Sequence, residues 1–394
     1  MKSAVQFGAG NIGRGFMGQL FWEIGYEIVF VDVKEKLVKL LNEKKCYTLR
    51  ILDAGTRKKR DIAIDRFRAL TLMNRDEAVE AIALSDVMST AVGVEKLEDI
   101  APLIADGIKE RFRRSSPPVD IYQCENSLHA AKILKSAVLD RLSGDLRRWA
   151  ERNVGFIGTA VMRIVPAPGR FEGEDPLLVV SDAYHRLPYD NMARKSPAPS
   201  IEGLKPVDDF TAEMTKKLYT YNLAHAALGY LGNLKGRSYI HECVEDSATV
   251  SVVEGVLNES MDALVKKYPD NIDCEEKREI IHDIKLRFSN PLIMDTIKRV
   301  GKDPVRKLGP DERLIGSAKL CLSSGILPDN ISCVCAAALL YDDPEDGETV
   351  RLQKMVREEG VERTLQKVSG VDPQSRFGRD IVGHYNRLKT EKGR

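Results

Sequence analysis

Long apolar runs are missing from this 394-residue chain. None reaches membrane-spanning length, so no helical membrane protein is expected and no membrane partner. A surplus of either charge is missing too: 60 Lys and Arg face 59 Asp and Glu, a formal net charge of +1. That balance implies no general attraction to nucleic acid or to a membrane surface. Cysteine is sparse, at seven, and no pair has the spacing of a zinc site. Cys333-Val334-Cys335 is too tight for a Cys-x2-Cys arm and sits inside the apolar run 331–340, so reduced, mostly buried thiols of a cytoplasmic protein are expected. There are only six histidines. His185, His225, His241 and His282 lack ligand spacing, and His241-Glu242 is followed by no second His at the fourth position, so no metal is expected. The first residues run from one Lys into a short apolar strand and glycines, without the apolar core of a signal peptide. No internal repeat, low-complexity tract or heptad seam is present.

What remains is an ordinary globular composition, 43% apolar and 30% charged, on a length that suits two domains. Residues 4–7 read as a buried strand. Gly8-Ala9-Gly10-Asn11-Ile12-Gly13 follows at once, then a helical pattern over 16–24, then a second β-branched strand over 28–31 closed by Asp32. This is G-x-G-x-x-G between strand and helix with an acid about twenty residues on. Gly8 would make the tight turn, Gly10 would let backbone approach a pyrophosphate, and Gly13 would let helix pack on strand. The helix start offers N–H groups and a positive dipole end. Asp32 can accept from a ribose 2′-hydroxyl and would repel a 2′-phosphate, which favours NAD over NADP.

Further along, helices are expected over 34–45, 76–83, 95–113 and 127–142, and strands over 47–52, 62–72, 86–92 and 119–124. The basic run Arg57-Lys58-Lys59-Arg60 reads as a solvated loop tip. Thr90, Ala91 and Val92 end one strand and should lie on the nicotinamide side, because ligands of doubly wound sheets gather at strand C-termini. Asn126 ends the next strand, where it can touch a ligand or cap the following helix. Apolar runs over 153–165 and 177–184 should extend the sheet, and 195–200 is a Pro-rich connector. From 210 on, helical patterns dominate: 212–231, 240–268, 277–288, 314–322, 331–341 and 350–367. The fold class is therefore α/β: an N-terminal Rossmann-type doubly wound sheet with an extension over 1–203, then a mainly α-helical domain over 204–394.

The second domain opens on Lys217-Leu218-Tyr219-Thr220-Tyr221-Asn222-Leu223-Ala224-His225, which has no Gly or Pro and reads as one helix. At about 100° per residue, His225 lies about 80° round from Lys217 and Asn222 about 60° beyond His225. An amine, an amide and an imidazole would then share one side. That set suits removing a proton from an alcohol while holding its oxygen, and the helix could face the cofactor across a cleft.

Several of these motifs occur in a telling order: Phe7 to Phe16, Cys124-Glu125-Asn126, Arg163-Ile164-Val165-Pro166, Lys217-x4-Asn222-x2-His225, Arg287-Phe288-x-Asn290-Pro291, Arg299-Val300-Gly301, and Pro304-x-Arg306-Lys307-Leu308. Together they resemble the polyol-specific long-chain dehydrogenases, the mannitol dehydrogenase family, from residue 1 to beyond 340. The resemblance implies NAD-dependent, zinc-independent interconversion of a secondary alcohol and a ketone. It implies Lys217 as general acid/base, Asn126 and Asn222 as holders of the substrate oxygen, and His225 as a substrate contact that helps place Lys217. It implies Arg299 and Lys307 at the far end of a sugar phosphate or polyol, and it leans toward a monomer. Within the family, the chain is most similar to members acting on mannitol 1-phosphate and fructose 6-phosphate. A relative using an unphosphorylated polyol or hexuronate would usually be longer, and a non-catalytic NAD sensor would be expected to lose Lys217 or an Asn.

Three departures fall beside the expected site. Met162 stands where the family has Asp, removing a carboxylate that could pair with Arg299. Leu223-Ala224 replaces Thr-Gly, and Ser127-Leu128-His129 follows Asn126 in place of Met and small residues.

Overall fold

The computed structural model describes residues 2–166 and 175–392. Contacts divide the chain into two compact units, Met1–Met214 and Thr215–Arg394.

Among its described residues the first unit holds eleven strands: β1 Ser3–Phe7, β2 Glu27–Asp32, β3 Tyr47–Leu52, β4 Lys59–Ile64, β5 Phe67–Thr71, β6 Val87–Thr90, β7 Val119–Gln123, β8 Val154–Gly158, β9 Val179–Asp182, β10 Leu187–Asp190 and β11 Leu204–Val207. Six of them form one sheet in the order β5-β2-β1-β6-β7-β8, with every pairing parallel. By sequence rank among these six, that is the 3-2-1-4-5-6 order of a doubly wound dinucleotide fold. The central strands are largely buried because both faces are covered, with a few polar residues such as Gln6, Ser89 and Asp120 among the apolar ones. Alternation along β1 and β2 sends Ala4, Ile28 and Phe30 into one core, with Phe16 and Leu20. Val5, Phe7, Val29 and Val31 go into the other, with Met88 and Ile104.

Two features differ from the sequence reading. The single strand expected over 62–72 is two strands, because Arg66 adopts a left-handed turn at φ 50°. β4 then pairs antiparallel with β3, while β5 crosses to the main sheet beside β2. Lys59 and Arg60 therefore belong to β4 and not to a loop tip. Second, β8 extends the main sheet as expected, but β9 pairs with β3 in a separate three-stranded sheet. Residues 204–214 stay with the first unit because β11 pairs with β10 and the Phe210 ring packs on Gly158, where an added Cβ would lie 2.4 Å from it.

The second unit is helical among its described residues. The pattern expected over 240–268 is two helices, Ile240–Cys243 and Ser247–Lys267, since the Asp246 carboxylate caps the second by accepting the Thr249 N–H at 2.9 Å. The pattern over 350–367 likewise divides into Gly347–Glu359 and Val361–Ser369 at Gly360, whose φ is 83°. A last helix, Arg376–Lys392, carries no counterpart in the sequence reading.

Candidate active site

The glycine loop of the first unit is fixed from below. Gly8 donates to the Val31 carbonyl at 2.8 Å, and the Arg14 Nε donates to the Ala9 carbonyl at 2.7 Å while its Nη1 reaches the Leu177 carbonyl at 2.7 Å. Burial lowers the pKa of this guanidinium, partly offset by Tyr47 and Asp32. The three glycines have different reasons. Gly8 has φ 87°, and a Cβ there would lie 2.4 Å from the Ala91 carbonyl oxygen; at Gly13 it would lie 1.9 Å from the Gly8 carbonyl oxygen. At Gly10 an added Cβ would meet nothing within 4 Å among the described residues. Packing against those residues therefore does not require a glycine there, and its open face leaves room for a ligand to approach. Asn11 and Ile12 lie partly exposed just beyond it.

Asp32 ends β2 and is half-buried. Its Oδ2 accepts the Ala9 N–H at 2.7 Å and its Oδ1 the Lys34 N–H at 2.8 Å. The carboxylate is thereby oriented, and each oxygen keeps acceptor capacity for a ribose hydroxyl. These residues fit NAD: an open-faced glycine, a helix start and a fixed acid at the end of the second strand.

Beside Gly8 runs the end of β6, where Ala91 donates to the Phe7 carbonyl at 2.8 Å. Thr90 is fully buried there, and the next turn is held from β7. Glu125, buried, accepts the Val92 N–H at 2.9 Å and the Gly93 N–H at 2.8 Å. Its burial raises the carboxyl pKa, with those two N–H groups pulling the other way. Sequence reading quoted Glu125 only as part of a motif, although an acid at a strand end beside Asn126 is a visible signal. Asn126 is exposed just after β7. It does not cap the next helix, which begins at Ala130. The intervening turn is closed by Ser127, whose hydroxyl accepts the His129 N–H at 3.1 Å.

In the second unit, the single helix expected from Lys217 to His225 is broken. One helix ends at Tyr219 and the next runs Tyr221–Leu234. Thr220 between them has φ −123° and ψ −81°. Its hydroxyl donates to the Lys216 carbonyl at 2.6 Å, the Ser260 hydroxyl donates to the Tyr219 carbonyl at 2.6 Å, and the Thr220 carbonyl accepts the Ala224 N–H at 2.8 Å. These bonds satisfy the carbonyls that a continuous helix would have used. The angular offsets of a single helix therefore do not apply. Lys217 lies near the end of the first helix, only 4% exposed, and Asn222 lies half-buried in the first turn of the second.

His225 sits one turn further along. Its Nε2 bonds the Asp295 Oδ2 at 2.8 Å, and its ring stacks on Phe288 with centroids 4.8 Å apart. Asp295 also takes a two-pronged bond from Arg299, 2.7 Å from Nε and 2.6 Å from Nη2. Burial opposes ionisation of Asp295, but His225 and Arg299 outweigh it and hold its pKa well below the usual carboxylate range. Burial lowers the His225 pKa, against the raising effect of Asp295, so the imidazole is neutral at pH 7. A neutral ring bonded through Nε2 to a carboxylate donates there and presents Nδ1 as an acceptor. Lys307 is buried, donating to the Val300 and Lys302 carbonyls. Burial, then Arg313 and Arg306, bring its pKa down to about 7.

Asp295 is the residue sequence reading missed. Arg299 takes its carboxylate partner from the preceding turn, Asp295, while position 162 holds no acid. Met162 itself receives the Tyr184 hydroxyl at its sulfur, 3.7 Å away. Leu223 and Ala224 are fully buried in the core of the second unit, so that departure alters helix packing and not open surface. Leu128 and His129 are exposed.

A doubly wound sheet with an open glycine loop, followed by a helical unit carrying a buried lysine and a carboxylate-held histidine, is an arrangement of the dinucleotide-dependent oxidoreductase class. Residues 2–203 match the mannitol dehydrogenase Rossmann domain and residues 209–389 the mannitol dehydrogenase C-terminal domain. The chain belongs to the mannitol dehydrogenase family, a family of NAD-dependent dehydrogenases. It is 37% identical over 390 residues to mannitol-1-phosphate 5-dehydrogenase of Brevibacillus brevis, covering 99% of both chains. It is 35% identical over 389 residues to the enzyme of that name from Caldanaerobacter subterraneus subsp. tengcongensis, again covering 99% of both. In fold it is similar to substrate-free D-sorbitol dehydrogenase, with TM-score 0.81, 15% identity, and coverage of 100% of this chain and 94% of the other. It is also similar to Pseudomonas fluorescens mannitol 2-dehydrogenase, with TM-score 0.80, 17% identity, and coverage of 99% and 92%.

Proposed function

We propose that this protein interconverts D-mannitol 1-phosphate and D-fructose 6-phosphate, with Lys217 as general acid/base and no metal. The observation that carries the chemistry is a buried lysine in the same helical unit as a histidine and an arginine locked to one carboxylate. The substrate rests on near-full-length likeness to relatives that bear that enzyme's name.

Gly8, Ala9, Gly10, Asn11, Ile12, Gly13 and Asp32 hold NAD, with Thr90, Ala91 and Val92 at the nicotinamide end. NAD supplies the hydride acceptor. The chain's own residues handle the proton and the oxygen. Lys217 Nζ takes the proton of the reacting hydroxyl and returns it to the carbonyl oxygen in the reverse direction. A buried amine gives up its proton more readily than a solvated one. The Asn126 and Asn222 amides donate to the oxygen as its charge develops, an effect worth roughly 2.7–4 kcal/mol per donor. His225 Nδ1 accepts from a substrate hydroxyl, its tautomer fixed by Asp295. Arg299 spends two of its five donors on Asp295, and Lys307, in its protonated form, spends two of its three on carbonyls, so both then retain donors for the substrate's far end.

The test is Lys217→Ala. Its kcat should fall by orders of magnitude while NADH affinity stays near that of the parent; near-normal turnover would remove Lys217 from the mechanism. Dialysis against a chelator should leave turnover unchanged, and activity restored only by added zinc would contradict the metal-free reading.

A further inference from the structure

A cleft of about 740 Å³ opens within the first unit and shares no residue with the glycine loop. Its size falls within the roughly 300–1,000 Å³ of small-molecule sites. One wall is the start of β4, which brings the basic run Lys58, Lys59 and Arg60 into the cleft. All three are exposed, and among the described residues none of their side chains takes part in an ion pair with a carboxylate. The lining also includes Glu23, His185 and Ile201.

The carboxylates of the cleft do not neutralise that wall. Glu23 is engaged twice, by His185 Nε2 at 2.8 Å and Gln19 Nε2 at 2.6 Å. Asp53 is folded onto Thr56, accepting its N–H at 2.6 Å and its hydroxyl at 2.9 Å. Glu202 is the third acid in the lining. The cleft thus holds three uncommitted cations and one uncommitted acid, and its lining includes the apolar Ile51 and Ile24. Cations clustered in a cleft with low-dielectric walls concentrate anions there, and apolar lining suits a carbon skeleton.

We infer that this cleft is a second ligand site, for a small phosphate monoester, separate from the dinucleotide site. Lys58, Lys59 and Arg60 hold the phosphate, and the Ile51 and Ile201 side chains cover the carbon end.

The test is calorimetric titration of glycerol 3-phosphate into the full chain already saturated with NADH, which occupies the phosphate-binding glycine loop. Three proteins are compared: the parent, Arg299→Gln, and the triple variant Lys58→Gln, Lys59→Gln, Arg60→Gln. The side chains altered in the triple variant are solvent-exposed, and a thermal melt verifies that both variants are folded. The expected result is a binding isotherm that survives Arg299→Gln and weakens at least about tenfold in the triple variant, with glycerol giving no heat. Unchanged affinity in the triple variant, loss of all binding in Arg299→Gln, or no binding to the parent would overturn the inference. None of these outcomes bears on turnover of fructose 6-phosphate, which is measured separately and tests the proposed function alone.

Discussion

Asp295→Asn removes a charge while keeping the shape of the side chain. The carboxylate is buried and serves three bonds, two from Arg299 at 2.7 and 2.6 Å and one from His225 at 2.8 Å. Breaking a fully buried ion pair costs about 3–5 kcal/mol. Here the Arg299 side chain is 35% exposed, so solvent screens part of that pairing and the estimate falls to about 2–3 kcal/mol. For a unit of this size that corresponds to a drop in Tm of roughly 4–12 °C. The sign of the pH dependence is fixed as well. Asp295 has its folded pKa lowered from 3.8, so its stabilisation is present above the unfolded value and fades as pH falls through the folded one. The gap in stability between parent and variant should therefore be level above about pH 5 and narrow below 3.8. Thermal unfolding followed by circular dichroism at several pH values measures both. The amide of the variant can still accept one bond but cannot grip the guanidinium with two charged oxygens, so kcat/KM should fall as well. A Tm within about 1 °C of the parent at pH 7, with unaltered kinetics, would refute the claim that Asp295 organises His225 and Arg299.

Gly13→Ala should abolish NADH binding or unfold the loop, since its Cβ would lie 1.9 Å from the Gly8 carbonyl oxygen; fluorescence titration with NADH reads the result. Asp32→Asn should narrow the preference for NADH over NADPH by removing a charge that repels a 2′-phosphate, and the ratio of kcat/KM values for the two cofactors measures it. Lys307→Met should change the pH profile of stability. The parent amine has its pKa lowered from 10.5 to about 7, so the unfolded chain binds more protons between those values and parent stability rises with pH across that window. The variant should lack that rise when denaturant unfolding is compared at pH 7 and pH 9.

How much of this was legible in the sequence depended on how local the cause was. The glycine loop, its flanking strands and Asp32 are set by neighbours in sequence, and the doubly wound class follows from alternating strands and helices. Thr220 was not legible: nothing in 217–225 breaks a helix by composition, and the break is completed by the Ser260 hydroxyl, 41 residues away from the carbonyl it bonds. The β4–β5 division turned on one left-handed Arg66, a conformation its side chain does not advertise. Asp295 is a mixed case. Its spacing to Arg299, four residues along a helix start, was there to be seen. Its bond to His225 spans 70 residues and exists only in the fold. The basic run at 57–60 reads as a solvated tip because nothing local shows that Lys58, Lys59 and Arg60 line a cleft.

The most direct test of the account is oxidation of NADH by the purified protein, followed by loss of NADH absorbance. The panel is fructose 6-phosphate, fructose, fructuronate and tagaturonate, with NADPH as the cofactor control. The account predicts rapid turnover with fructose 6-phosphate and NADH, and little with the others. Turnover confined to an unphosphorylated ketose or a hexuronate would contradict it, and would make Arg299 and Lys307 contacts to carboxylate or hydroxyl groups instead of phosphate.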